Sequence, residues 1–302
     1  MVAMTQVARP IATPEDYAEC RRVMLAASKN YSFASRFLPQ RILPHVEALY
    51  ALMRVGDDRV DVSFQGFSSP MSAIEDWERT YWNAFDAGGS AHPIMRAYLD
   101  TALRFSIPPE VMRAYFRSMK EDLTVTRFPT FADLLHYMDG SAVPVGRAMT
   151  YIVGVRAPFS VDDTLRYADS LSIAMQLSNF WRDVGQDYRI GRIYLPLEDM
   201  ARFGVAEADL SEGRISEAFV ALLEFEMART DDYYRHAARG VPRLAAGRWG
   251  VMAGLEVYRA IHHSIRRNGY DVFSKRATTS KAQKLGLAAR AQWRLALASL
   301  TA

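Results

Sequence analysis

The chain has a single cysteine, Cys20, and no apolar run that approaches the roughly 18 residues of a membrane-crossing helix. One thiol excludes an internal disulfide framework and suits a reducing cytosol, so a cytoplasmic protein is expected. Neither His nor Lys neighbours Cys20 in sequence, which favours a packed small side chain over a nucleophile. The opening segment, Met1 to Pro14, has neither a basic n-region nor an apolar h-region, so no signal peptide is read and residues 1–12 are expected to be flexible. A formal net charge of +3 is too small to argue for a nucleic-acid partner. There is no Gly-rich dinucleotide loop, no alternating strand pattern and no βαβ rhythm. The glycine- and proline-containing breaks, such as Gly88-Gly89-Ser90 and Gly240-Val241-Pro242, are too short to be interdomain linkers. One all-α domain over residues 1–302 is the reading.

What remains is apolar and helical. Half of the 302 residues are hydrophobic and 24% are charged, enough for a sizeable core. Thr13-Pro14-Glu15-Asp16 reads as a cap, a first-turn proline and first-turn acids opening a helix to about Ala27. Helical spacing of apolar residues marks further helices over 43–62, 72–85, 93–105 and 108–123. Thr130 caps another past Tyr137, a long one runs from Val161 to Asp187, and three more occupy 216–239, 249–268 and 280–300. This is a helical bundle whose core could enclose a ligand. Near the C-terminus basic residues gather (Arg266, Arg267, Lys275, Arg276, Lys281, Lys284, Arg290, Arg294) with Asp271 the only acid among them. A solvated helix face and contact with anionic lipid or diphosphate are both open there. His262-His263 are adjacent, point apart on a helix, and make a poor metal pair.

Two acidic clusters, Asp57-Asp58-Arg59-Val60-Asp61 and Asp183-Val184-Gly185-Gln186-Asp187, lie roughly 125 residues apart within these apolar helices. Each sets two carboxylates at i and i+4 on one helix face, a spacing that destabilises an isolated helix. In the second, Gln176, Asn179, Asp183 and Asp187 share one side of the helix, while Leu171, Ile173, Met175, Leu177 and Phe180 around them are apolar. The polar stripe is therefore expected to line an interior, with Asp57, Asp58 and Asp61 as the opposing wall. Buried carboxylates must be paired or metal-bound. Mg2+ takes oxygen ligands and commonly uses one or two carboxylates plus substrate phosphates, so two carboxylate pairs suit Mg2+ ions bridged by a diphosphate.

These motifs resemble the squalene/phytoene synthase family, prenyltransferases that join two prenyl diphosphates head to head. Tyr31-Ser32-Phe33 with Leu38-Pro39 is similar to the family's opening motif, and Ala48-Leu49-Tyr50-Ala51 through Arg54 to Asp61 to its first aspartate-rich motif. Asp122-Leu123, Arg127-Phe128 and Tyr137 resemble the middle motif; Gln176 to Asp187 running into Gly191-Arg192-Ile193-Tyr194-Leu195-Pro196 resembles the second signature. Tyr258-Arg259-Ala260-Ile261 and Gly269-Tyr270-Asp271-Val272-Phe273 with Arg276 resemble the C-terminal helices. The resemblance implies an isoprenoid-synthase-type bundle with a central active-site cavity and Mg2+ as cofactor. It also implies that Asp57, Asp58, Asp61, Asn179, Asp183 and Asp187 hold metal and diphosphate. Arg36, Arg54, Gln176, Arg192 and Arg276 would contact substrate, Ser32, Phe33, Tyr50 and Tyr258 would help shape its site, and Tyr137 would be catalytic. The substrate would be farnesyl, geranylgeranyl or a shorter prenyl diphosphate, met from the water side, with peripheral membrane contact in prospect. Because every expected metal-binding aspartate is present, a non-catalytic binding protein of the same fold is disfavoured.

Three features depart from the common pattern. Gln186 stands where Glu is common, and Gly56 precedes Asp57 where Ala is common. The run Ser141-Ala142-Val143-Pro144-Val145-Gly146-Arg147 is similar to hopanoid-pathway relatives, and its proline is expected to kink a helix. These bear on the acceptor more than on ionisation of the donor. The competing expectation is prenylation of an aromatic acceptor, such as a carbazole, in secondary metabolism.

Overall fold

A computed structural model describes residues 11–27, 38–61 and 66–298. Among these the secondary structure is helical throughout, with no strand beyond the isolated bridges Arg127–Ile193 and Val155–Leu244. The all-α expectation is borne out. No helix among the described residues is long and apolar enough to cross a membrane. The helices gather into two compact units, split at Pro108–Pro109.

The first unit contains α1 (Pro14–Ala27), α2 (Leu43–Asp61), α3 (Pro70–Ala87) and α4 (Pro93–Arg104). Helix α2 packs against the other three. Its buried Leu49 and Leu52 join Met24, Ile74 and Trp77, and the Trp77 indole donates to the Leu52 carbonyl at 3.2 Å. Cys20 is fully buried, and burial pushes its thiol up to about 12, so the packing role expected for it is the one found. Buried Asp16 accepts from Arg96 at 2.5 and 2.9 Å, which ties α1 to α4.

The second unit is built round α8 (Val161–Arg189), a 29-residue helix. Before it come α5 (Glu110–Glu121), α6 (Phe131–Ser141) and α7 (Val143–Val153). After it come α9 (Leu197–Phe203), α10 (Glu207–Ser211), α11 (Glu217–Ala238), a 3-10 turn at Val241–Arg243, α12 (Arg248–Arg267) and α13 (Lys281–Ala298). Helices α6, α7, α10, α11 and α12 all pack on α8, which is why it shows no single apolar stripe. Ser160 caps α8 by accepting from the Asp163 N–H, and the Thr130–Asp133 capping box opens α6.

Pro144 does not kink a helix. Helix α6 stops at Ser141, and Pro144 falls in the first turn of α7, where a missing N–H costs nothing. The short helices α9 and α10 were not foreseen. The adjacent histidines divide as expected, His262 buried and His263 exposed.

Candidate active site

In the second unit, α8 presents Gln176, Asn179, Asp183 and Asp187, all half-buried, along one side. Asp183 accepts from Arg182 on its own helix, with Nε at 2.8 Å and a second, shorter bond from Nη2. Arg276, beyond the end of α12, grips the same carboxylate with Nε and Nη2, both at 3.0 Å. Burial alone would raise the Asp183 carboxyl. Hydrogen bonds from the two guanidiniums outweigh that and hold it below the ordinary aspartate value. One turn on, Asp187 is pushed up to about 7, first by burial and then by the neighbouring Asp183 charge. At that end of α8 a further cation would find an undercompensated carboxylate.

Two glycines let the chain reach this arrangement. Gly185 donates its N–H to the Val272 carbonyl at 3.2 Å, and a Cβ there would lie 2.6 Å from the Phe273 Cα. Only a residue without a Cβ lets the 272–276 segment lie this close to α8, and that segment carries Arg276. Gly191 turns the chain out of α8 at φ +83°, a left-handed conformation suited to glycine.

The turn delivers Arg192 and Tyr194. Ile193 N–H donates to the Thr126 carbonyl at 2.9 Å, and Arg127 Nη1 to the Gly191 carbonyl at 2.6 Å, so residues 191–195 lie along 126–128. Arg192 Nη2 sits 2.8 Å from Asp122 Oδ2, and its Nη1 donates to the Tyr194 hydroxyl at 3.4 Å. The Tyr137 hydroxyl donates to Asp122 Oδ1 at 2.6 Å. Burial, then Tyr194 and Asp122, raises the Tyr137 hydroxyl well above its usual range, so it is neutral at any working pH. Its ring stands 5.1 Å from Phe128 and 5.9 Å from Tyr194, and Tyr194 stacks on Phe180 at 3.8 Å. Phe180, Val184, Asp187, Arg192 and Tyr194 together line a cleft. Tyr258 is half-buried and packs on the same core cluster.

The first acidic cluster lies at the C-terminal end of α2 in the first unit. Asp57, Asp58, Arg54 and Tyr50 are half-buried there, and Arg54 Nη2 donates to Asp58 one turn away. Arg59 turns aside to Asp76 at 3.0 Å and lies over the Trp77 ring. Ser32, Phe33 and Arg36 lie outside the described residues, as does the Asp61 side chain.

Among the described residues no three His, Cys, Asp or Glu side chains converge as a closed metal cage. Mg2+ is usually held by one or two carboxylates with water and phosphate oxygens supplying the rest. The donor set is all oxygen, and burial with the adjacent Asp183 charge raises Asp187 despite Arg192, Arg182 and Arg276, so the residues present fit the ion.

Residues 24–283 match the squalene/phytoene synthase family. The chain belongs to that family. It is 34% identical over 280 residues to a 15-cis-phytoene synthase of Synechococcus elongatus, covering 90% of each chain. Among solved structures, this synthase is similar to a dehydrosqualene synthase (TM-score 0.85, 27% identity, 93% of this chain and 97% of that one). It is also similar to a squalene synthase from Alicyclobacillus acidocaldarius (TM-score 0.76, 29% identity, 85% and 95%). Members of the family are prenyltransferases, and so is this enzyme.

Asp122, which holds both Tyr137 and Arg192, is the residue of this arrangement that sequence reasoning left without a role. It sits within a recognised motif, but as a single carboxylate with no spacing signal. Only the pairing of 126–128 with 191–195 brings Arg192 to it.

Proposed function

We propose that the enzyme condenses two prenyl diphosphates head to head, giving a cyclopropylcarbinyl diphosphate or a product of its further rearrangement. The observation that carries this reading is the intact stripe Gln176, Asn179, Asp183 and Asp187, continuing into Arg192 and Tyr194, in a chain matching the family over residues 24–283. Its relatives include phytoene synthases and its structural neighbours squalene-type synthases, so geranylgeranyl and farnesyl diphosphate are both candidate substrates.

Asp57, Asp58 and Asp61 in one cluster, and Asn179, Asp183 and Asp187 in the other, would supply oxygen ligands to Mg2+. When bound, Mg2+ would neutralise charge on the departing diphosphate. Arg192 and Arg276 would hold diphosphate oxygens through their planar forks. Arg276 would have to release Asp183 to do so, exchanging a carboxylate for a phosphate partner. Ionisation of the allylic C–O bond leaves a cation, and an aromatic face open to the cleft, with Phe180 the candidate there, can stabilise such a charge by about 0.5–2 kcal/mol. The second prenyl chain attacks with its double bond, and one proton is lost as the ring closes. Tyr137 can accept that proton only while passing its own to Asp122, so the released diphosphate is the simpler acceptor.

Purified enzyme incubated with Mg2+ and geranylgeranyl or farnesyl diphosphate, with no other acceptor, tests the reading. A C40 or C30 product supports it. Intact diphosphate, or hydrolysed alcohol alone, would transfer the role to an aromatic acceptor.

A further inference from the structure

Helix α13 has two apolar faces, and among the described residues its neighbours cover one of them. On the inner face, buried Ala288 and Ala291 pack with Leu295 against Met252, Ala253 and Leu255 of α12. Trp249 donates its indole N–H to the Ala288 carbonyl at 2.9 Å, and Arg294 pairs with buried Glu256. These contacts fix the rotation of α13 and therefore fix what it turns outward. Ala282, Leu285, Gly286, Ala289, Trp293 and Ala296 are all exposed. At about 100° per residue they fall in one arc of roughly 100°, and no charged residue interrupts it. Leu285 is 61% exposed and Trp293 is 74% exposed, the most open large apolar side chain among the described residues. A stripe of that width ordinarily faces a core.

The charge beside the stripe indicates what covers it. Helix α13 carries no acid, and Asp271 is the only Asp or Glu from Arg266 onward; of the helix's basic residues Arg294 is taken up by Glu256, which leaves Arg290 as the described cation bordering the stripe. Exposed Arg290 lies at the rim of the arc. A two-fold contact with a second copy would bring basic rims together with no acid on either helix to answer them. An anionic surface answers them directly, and an interfacial tryptophan has its ring in the acyl boundary and its N–H among headgroups. We propose that this face of α13 docks on an anionic lipid bilayer, with Leu285 and Trp293 inserted at the headgroup–acyl boundary and Arg290 among the headgroups. The inference stands on the helix alone and does not depend on the catalytic reading.

Flotation of the full chain with phosphatidylcholine–phosphatidylglycerol vesicles, and with phosphatidylcholine vesicles alone, tests it. Wild type should float with the anionic vesicles far more than with the neutral ones, and less as salt is added. The double variant Leu285→Ser/Trp293→Ser should lower partitioning on the order of tenfold or more, and Arg290→Glu should lower it roughly tenfold. Both changes are at exposed positions, and product formation from detergent-dispersed substrate should stay at the wild-type level. Failure of wild type to float with anionic vesicles would overturn the proposal. So would flotation that both variants leave unchanged, or a dimer in equilibrium sedimentation that the double variant converts to monomer, since that would assign the face to a second copy.

Discussion

Replacing Gly185 with alanine sets two physical effects against each other with opposite signs. Glycine inside a helix costs about 1 kcal/mol relative to alanine, so propensity alone makes Gly185→Ala stabilising by that amount. The packing says otherwise. The added Cβ would meet the Phe273 Cα at 2.6 Å, the Val272 oxygen at 3.0 Å and the Phe273 oxygen at 3.1 Å, all backbone atoms with no rotamer to escape into. Carbon atoms rest at about 3.5–4.0 Å, so the 272–273 segment must retreat by roughly 1 Å. Overpacking of that kind costs about 1–3 kcal/mol, which leaves the variant less stable by up to about 2 kcal/mol after the propensity gain. The same retreat carries Arg276 away from Asp183, where its two bonds are now 3.0 Å. A shift of about 1 Å takes them out of hydrogen-bond range. If Arg276 serves the diphosphate, kcat/KM should fall roughly 10- to 100-fold, the size of a 1 Å misplacement near reacting groups. Denaturant unfolding gives the first number, and steady-state kinetics well below the melting temperature give the second. A variant more stable than wild type with unchanged kcat/KM would refute the close-approach argument.

Asp122→Asn should lower kcat/KM about 100-fold while Tyr137→Phe lowers it less, because Asp122 holds both Tyr137 and Arg192; equal, small effects in steady-state assays would remove Asp122 from the site. Chelation of divalent ions should abolish turnover and Mg2+ should restore it; activity that persists in excess chelator would exclude the metal reading. Buried Glu226, against Arg229 and Asp199, is raised from 4.5 to about 8, chiefly by burial. Its contribution to stability is therefore full below about 4.5 and is lost progressively as pH rises to about 8, so in melting scans Glu226→Gln should flatten the decline between about pH 4.5 and 8. Asp16 has the opposite sign: its bond from Arg96, outweighing burial, lowers its pKa, so its contribution is present above the ordinary aspartate value and lost as pH falls through the depressed one. Asp16→Asn should flatten the acid limb of the same scans.

Most helices were legible because their signals are local. Thr13-Pro14 and the Thr130–Asp133 box mark starts, and α8 announced itself by its length and its stripe of Gln176, Asn179, Asp183 and Asp187. Pro144 was misread because a proline in the first turn of a new helix and a proline kinking an old one look alike until the break at Ala142 is known. The short helices α9 and α10 carry too few residues for periodicity to show. At the site, the carboxylates were legible from i, i+4 spacing, and the partners of Asp183 only in part. Arg276 is 93 residues away, and what brings it in is the missing Cβ of Gly185, which reads in sequence only as a helix weakness. Asp122 likewise gains its meaning from a backbone pairing between 126–128 and 191–195 that leaves no periodic trace.

The central claim is that one enzyme couples two molecules of the same prenyl diphosphate. The direct measurement is mass analysis of product formed from an equal mixture of deuterated and unlabelled geranylgeranyl diphosphate with Mg2+, alongside Asp187→Ala. Light–light, light–heavy and heavy–heavy C40 species in statistical proportion, absent from the variant, are expected. Products carrying only one labelled or unlabelled prenyl unit would contradict head-to-head coupling.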